Sequence, residues 1–136
     1  MKPFSVEVTN QVGLYQLSDG RYQLTQKGPV DPIMIGHGYL LVNDEIAEEL
    51  RVLIDAGVAY EPATIWDRTS NIEHKNYQSL RVTKRFSPDQ INDLDISEDR
   101  FLIMDNQYLF VTPGLKIKLE KSRIELTFSN GLSRFG

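Results

Sequence analysis

The 136-residue chain predicts a single α+β domain, residues 1–136, with an antiparallel-rich sheet packed against one or two main helices. Three observations point there. Short runs with a two-residue apolar period recur along the chain, separated by Gly, Pro, Asn and Asp. One capped stripe, residues 44–56, carries the period of an amphipathic helix. A hydrophobic fraction of 40% and a charged fraction of 25% suit a globular chain that folds without a metal or disulfide staple.

The elements follow in order. Phe4-Ser5-Val6-Glu7-Val8 alternates as a strand with one buried face. Leu14 to Leu17 and Arg21 to Leu24 flank Ser18-Asp19-Gly20, and Asp-Gly between strand-like runs predicts a hairpin. Gly28, Pro29, Pro32 and then Gly36-His37-Gly38 interrupt regular structure ahead of the apolar run Tyr39 to Val42. Asn43 is a good N-cap for a helix over 44–56, and Asp44 and Glu45 suit its positive end. Ile46, Ala47, Leu50, Leu53 and Ile54 share its apolar stripe, and Gly57 stands where a left-handed residue would stop it.

Val58 to Tyr60 and Ala63 to Trp66 read as extended, broken by Glu61-Pro62. Ser70 to Asn76 is polar and predicts a turn or loop; Tyr77 to Thr83 alternates towards Phe86 as a strand. Ser87-Pro88-Asp89-Gln90 has the form of a capping box, predicting a short helix or turn to about Leu94 with Ile91 and Leu94 inward. Phe101 to Met104 and Tyr108 to Val111 predict a hairpin through Asp105-Asn106-Gln107. Residues 113–122 are ambiguous. Leu115 and Leu119 have helical spacing after Thr112-Pro113, yet Leu115 to Leu119 also alternates. An internal echo favours the helix: Tyr39 to Asn43 matches Tyr108 to Thr112 at an offset of 69 residues, Ile46 then aligning with Leu115 and Leu50 with Leu119. Each unit reads as an apolar run, a cap, a helix and an extended segment, Ile124 to Phe128 in the second copy.

Charge narrows the partners. The net charge is −4 and the pI near 5.1. Residues 1–68 hold five basic and ten acidic side chains, whereas residues 69–136 hold ten and nine. Lys84-Arg85 and the group Lys116, Lys118, Lys121, Arg123 sit beside acids, so a nucleic-acid partner is not expected. Acids concentrate at Asp44, Glu45, Glu48, Glu49 and at Asp89, Asp93, Asp95, Glu98, Asp99. They read either as solvated faces or as complements to a basic partner. No apolar run is long enough to span a bilayer, and no apolar leader follows Lys2; a cytoplasmic protein, without membrane contact, is expected.

No chemical signature stands out. There is no cysteine, and His37 and His74 have no metal-ligand spacing, so neither a metal nor another cofactor is expected. The serines lack a nucleophile elbow, and Gly28, Gly36 and Gly38 form no phosphate loop. Trp66-Asp67 reads as a recognition anchor or, more simply, as a core indole.

Gly38 to Leu50, then Ala63-Thr64-Ile65-Trp66-Asp67, then Phe101 to Phe128 with Tyr108-Leu109-Phe110-Val111-Thr112-Pro113 resemble a family of small bacterial immunity proteins of polymorphic toxin systems. The resemblance spans roughly residues 36–128 and leaves out the hairpin Leu14 to Leu24. It implies a non-enzymatic, cytosolic protector, monomer or homodimer, that binds a cognate toxin. The partner-binding candidates are Asp93, Asp95, Glu98 and Asp99, with Asp44, Glu45, Glu48 and Glu49 as the second face. Two other readings stay open: a small-molecule-binding domain or small enzyme using the Gly36-His37-Gly38 turn, and a structural or assembly subunit.

Overall fold

The computed structural model describes residues 2–54 and 56–135. In chain order these form β1 (Phe4–Glu7), β2 (Leu14–Gln16), β3 (Tyr22–Leu24), β4 (Ile33–Gly36), β5 (Tyr39–Asn43), α1 (Asp44–Leu53), β6 (Val58–Asp67) and β7 (Ile72–Val82). Then come β8 (Arg85–Phe86), β9 (Phe101–Met104), β10 (Tyr108–Val111), α2 (Pro113–Glu120) and β11 (Thr127–Asn130), with 3-10 turns at Pro88–Gln90 and Ser133–Phe135. The α+β expectation holds, with two sheets in place of one. Their strand orders are β11-β1-β10-β9-β8 and β2-β3-β6-β7-β5-β4. Pairing is antiparallel except at β3–β6 and β8–β9.

The echo at offset 69 is a structural repeat. β4-β5-α1-β6 and β9-β10-α2-β11 have the same order, and the offset carries Tyr39 onto Tyr108, Asp44 onto Pro113 and Val58 onto Thr127. In the first unit β7 lies between β5 and β6; in the second, β1 lies between β10 and β11, antiparallel to both. Leu41 pairs with Ser79, and its counterpart Phe110 with Ser5. The N-terminal strand thus completes the C-terminal unit, and the fold is two ββαββ units closed in a circle.

The main core lies between the two sheets. Val6, Leu109 and Val111 of one face Val42, Leu80 and Val82 of the other. Because α1 follows β5 and α2 follows β10, both helices cover one end of this core with Ala47, Leu50, Leu115 and Leu119. The β4–β5 and β9–β10 turns lie at the opposite end, where they line the same clefts. Smaller cores line the outer faces: Met34, Leu41, Ile65 and Tyr77 under the β2–β3 hairpin, and Phe86, Ile91, Leu102 and Phe110 on the other sheet. No helix among the described residues is long and apolar enough to cross a membrane.

Local signals account for much of this. Asn43 caps α1, its Oδ1 accepting from Ile46 N–H at 2.9 Å. Asp105 and Asn106 both take left-handed φ, as a tight primed turn requires. Gln90 Oε1 accepts from Ser87 N–H at 2.9 Å, closing the 3-10 turn, with Ile91 buried and Leu94 half-buried behind it.

Several boundaries differ from expectation. α1 ends at Leu53, not residue 56, because Ile54 is extended; Asp55 lies outside the described residues, and Gly57, at φ +83°, precedes β6 instead of capping the helix. β6 runs through Glu61-Pro62: β3 touches it only at Ile65 and Trp66, so no neighbour needs the N–H that Pro62 lacks. The Ser70 to Asn76 loop shrinks to a turn at 68–71, with Ile72 to Asn76 in β7 and His74 opposite Ile65. The polarity there reflects an exposed strand. The closing strand starts at Thr127, leaving Ile124 as a core plug ahead of it. Trp66 is no core indole: it is half-buried beneath the Arg21 guanidinium, 4.6 Å from its ring centre.

Candidate functional site

The acidic residues expected to meet a partner are exposed or half-buried, and most are already engaged. On α1, Asp44 Oδ1 accepts from Gln78 Nε2 at 3.0 Å, Glu48 pairs with Arg51 at 2.9 Å, and Glu49 pairs with Arg123 at 2.8 Å. Asp95 accepts from Ser97 Oγ at 2.6 Å and Ser97 N–H at 3.0 Å, and these hydrogen bonds, the side-chain one first, hold its carboxyl below the ordinary value. Glu98 pairs with Arg100, and Asp99 with Lys118 at 2.6 Å. Gly114 makes the last arrangement possible: a Cβ there would collide with Asp99 Oδ1, so the glycine admits the carboxylate beside the start of α2. Asp93 and Glu45 make no side-chain hydrogen bond or ion pair within the described residues and point charge at solvent.

Glu98 and Asp99 share a depression of about 560 Å³ with Val52, Leu53, Ile54 and Ala56 at the end of α1 and with Lys118 of α2. Val52 is 86% exposed there. Asp44 and Glu45 begin the same helix, about 15 Å away at 1.5 Å per residue. The structure therefore sets Glu98 and Asp99 at one end of α1 and Asp44 and Glu45 at the other, and does not merge the two acidic groups. Val52 is not among the residues the sequence singles out, yet it lies off the α1 stripe, and an apolar side chain off the stripe has nowhere to go but outward.

A second concave region lies at the helix-free end. One cleft of about 310 Å³ is bounded by Tyr39, Leu40, Leu80, Arg81, Ile103 and Gln107, and Arg85 also lines it. A neighbour of about 290 Å³ is bounded by Val6, Glu7, Ile35, His37, Tyr108 and Arg134. Ile35, Gln107 and Leu109 line both. The Gly36-His37-Gly38 turn stands over this region for reasons of chain geometry. Gly38 takes φ +81°, and a Cβ on Gly36 would enter the ring of Tyr39, whose hydroxyl accepts from Leu14 N–H at 3.1 Å. His37 itself is exposed. Among the described residues no group of three or more His, Asp or Glu is placed to hold a metal ion.

Neither protein-family profiles, nor curated proteins, nor solved structures match the chain.

Proposed function

We propose that this chain is a non-enzymatic binding protein that neutralises a basic partner through its helix-bearing face, as an immunity protein neutralises a cognate toxin in the cytosol. One observation carries the reading. The depression beside α1 combines a solvent-facing Val52 with a rim of Glu98 and Asp99, while unengaged charge stands at Glu45 in the first turn of the same helix and at Asp93 in the loop that leads to Glu98. An apolar centre with a charged rim is the anatomy of a protein interface. Unengaged rim charges act mainly on association rate.

The test uses the protein encoded beside this chain's gene, co-expressed and then mixed with it at low and high salt. Asp93→Asn with Glu45→Gln is the informative variant, since neither carboxylate makes a side-chain hydrogen bond or ion pair within the described residues, whereas replacing Asp95, Glu98 or Asp99 also removes a turn or an ion pair. The variant should associate severalfold more slowly at low salt and show a weaker salt dependence. Val52→Glu should speed dissociation. Identical association rates at both ionic strengths, together with unchanged dissociation of Val52→Glu, would sink the proposal.

The His37-lined cleft favours a second reading, a small-ligand domain. It predicts a rise in melting temperature with a metabolite that His37→Ala abolishes.

A further inference from the structure

The two clefts at the helix-free end are counterparts under the internal repeat. Leu40 in one corresponds to Leu109 in the other, Leu80 to Val6 and Val82 to Val8, and Ile103 corresponds to Ile35 as the strand partner of Leu109 where Ile35 is that of Leu40. One pair of counterparts reverses charge: Arg81 on β7 stands where Glu7 stands on β1.

The β1 cleft already holds its complement. Arg134, from the Ser133–Phe135 turn, pairs with Glu7 at 3.1 Å, and Phe135 anchors that turn on Tyr108 at 4.9 Å between ring centres. The β7 cleft has no such occupant from the described residues. The nearest carboxylate to Arg81 is Glu61 at 3.9 Å, with both side chains two-thirds exposed, and Arg85 makes no ion pair within the described residues. The aliphatic floor there is incompletely covered, Leu40 and Ile103 being only half-buried.

We propose that the β7 cleft binds an acidic segment of a partner polypeptide, seated as the C-terminal turn sits in the twin cleft. Its carboxylate meets Arg81 and Arg85, and an adjacent apolar side chain covers Leu40 and Ile103. Charge complementarity in a partly desolvated cleft supplies the selectivity. This surface is separate from the helix-bearing face and does not depend on the toxin-binding reading.

The probe is a synthetic peptide of residues 130–135 carrying Arg134→Glu, titrated into the ¹⁵N-labelled full chain. The result expected is saturable amide shifts at Leu40, Ile103 and Gln107, with binding about tenfold weaker for the unmodified peptide and for protein carrying Arg81→Gln and Arg85→Gln. Arg81→Glu, made together with Glu61→Gln because Glu61 stands 3.9 Å from Arg81, should reverse the preference towards the unmodified peptide. Equal affinity for the two peptides, no shifts in the cleft, or a preference that Arg81→Glu leaves unchanged would overturn the proposal. So would free glutamate producing the same shifts at the same concentration, which would assign the cleft to small carboxylates.

Discussion

Asn10 places its side-chain amide against the outer edge of β4, donating from Nδ2 to the Ile33 carbonyl at 2.8 Å and accepting at Oδ1 from Ile35 N–H at 3.1 Å. These two bonds copy what a neighbouring strand would make, so the edge of the six-stranded sheet is closed without a strand. Nδ2 also donates to Asp31 Oδ2 at 3.1 Å, fixing the amide's orientation. Asn10→Asp removes both donors and sets a carboxylate against Asp31. It should lower unfolding free energy by about 2 kcal/mol, since an unpaired, partly buried carbonyl costs roughly 1–3 kcal/mol. Adding Asp31→Asn should recover part of the loss. A urea midpoint unchanged in the single variant would show that the amide does not hold the edge. Nothing in the sequence around Asn10 marks this role, because its partners lie more than twenty residues away.

At the scale of elements, α1 was legible and the outer part of β7 was not, for one physical reason. Capping and stripe periodicity are local: Asn43, the first-turn acids and the 46-47-50-53 stripe act within the helix they specify. β7 from Ile72 to Asn76 is held by pairing with β6 and meets little core, so its composition resembles a loop. Thr112 shows the same limit. It stands at the N-cap position of α2, yet its hydroxyl accepts from Arg100 N–H at 3.0 Å and tethers the acidic segment instead of the helix. The core contribution of α1 can be tested at Leu50, which is 3% exposed against α2 and both sheets. Leu50→Ala should cost about 2–4 kcal/mol through the cavity it leaves. Val52→Ala, on the solvent side of the same helix, should change stability by less than about 0.5 kcal/mol. Equal denaturation midpoints for the two variants would contradict the assigned helix orientation.

For the whole molecule, the decisive feature is the circular closure of the repeat, only half of which the sequence shows. The offset of 69 relates Tyr39 to Tyr108 because both units need an apolar strand leading to a capped helix, and those needs are local. That β1 stands in for β7 is invisible in the chain order, since the two share little beyond Ser5 and Ser79 at matching registers. The closure has a mechanical consequence. Phe4 pairs with Asn130, and Gly131 N–H donates to the Pro3 carbonyl at 2.9 Å, so the two ends of the repeat circle are adjacent. A permuted chain should therefore fold when the two ends are joined by a short flexible linker and the chain is opened between Asp93 and Asp95, outside every strand and helix. It would make the second ββαββ unit continuous in sequence, converting the long-range β1–β10 and β1–β11 pairings into nearer ones. Stability should stay within about 2 kcal/mol of the parent, because closing a short loop offsets the one that was opened. Opening the chain between His37 and Gly38 instead breaks the two-residue turn that sets the β4–β5 register and should cost more. The comparison is made by urea denaturation and amide spectra of both permutants. If the first fails to unfold cooperatively while the second does, the units identified as the repeat are not those that fold together.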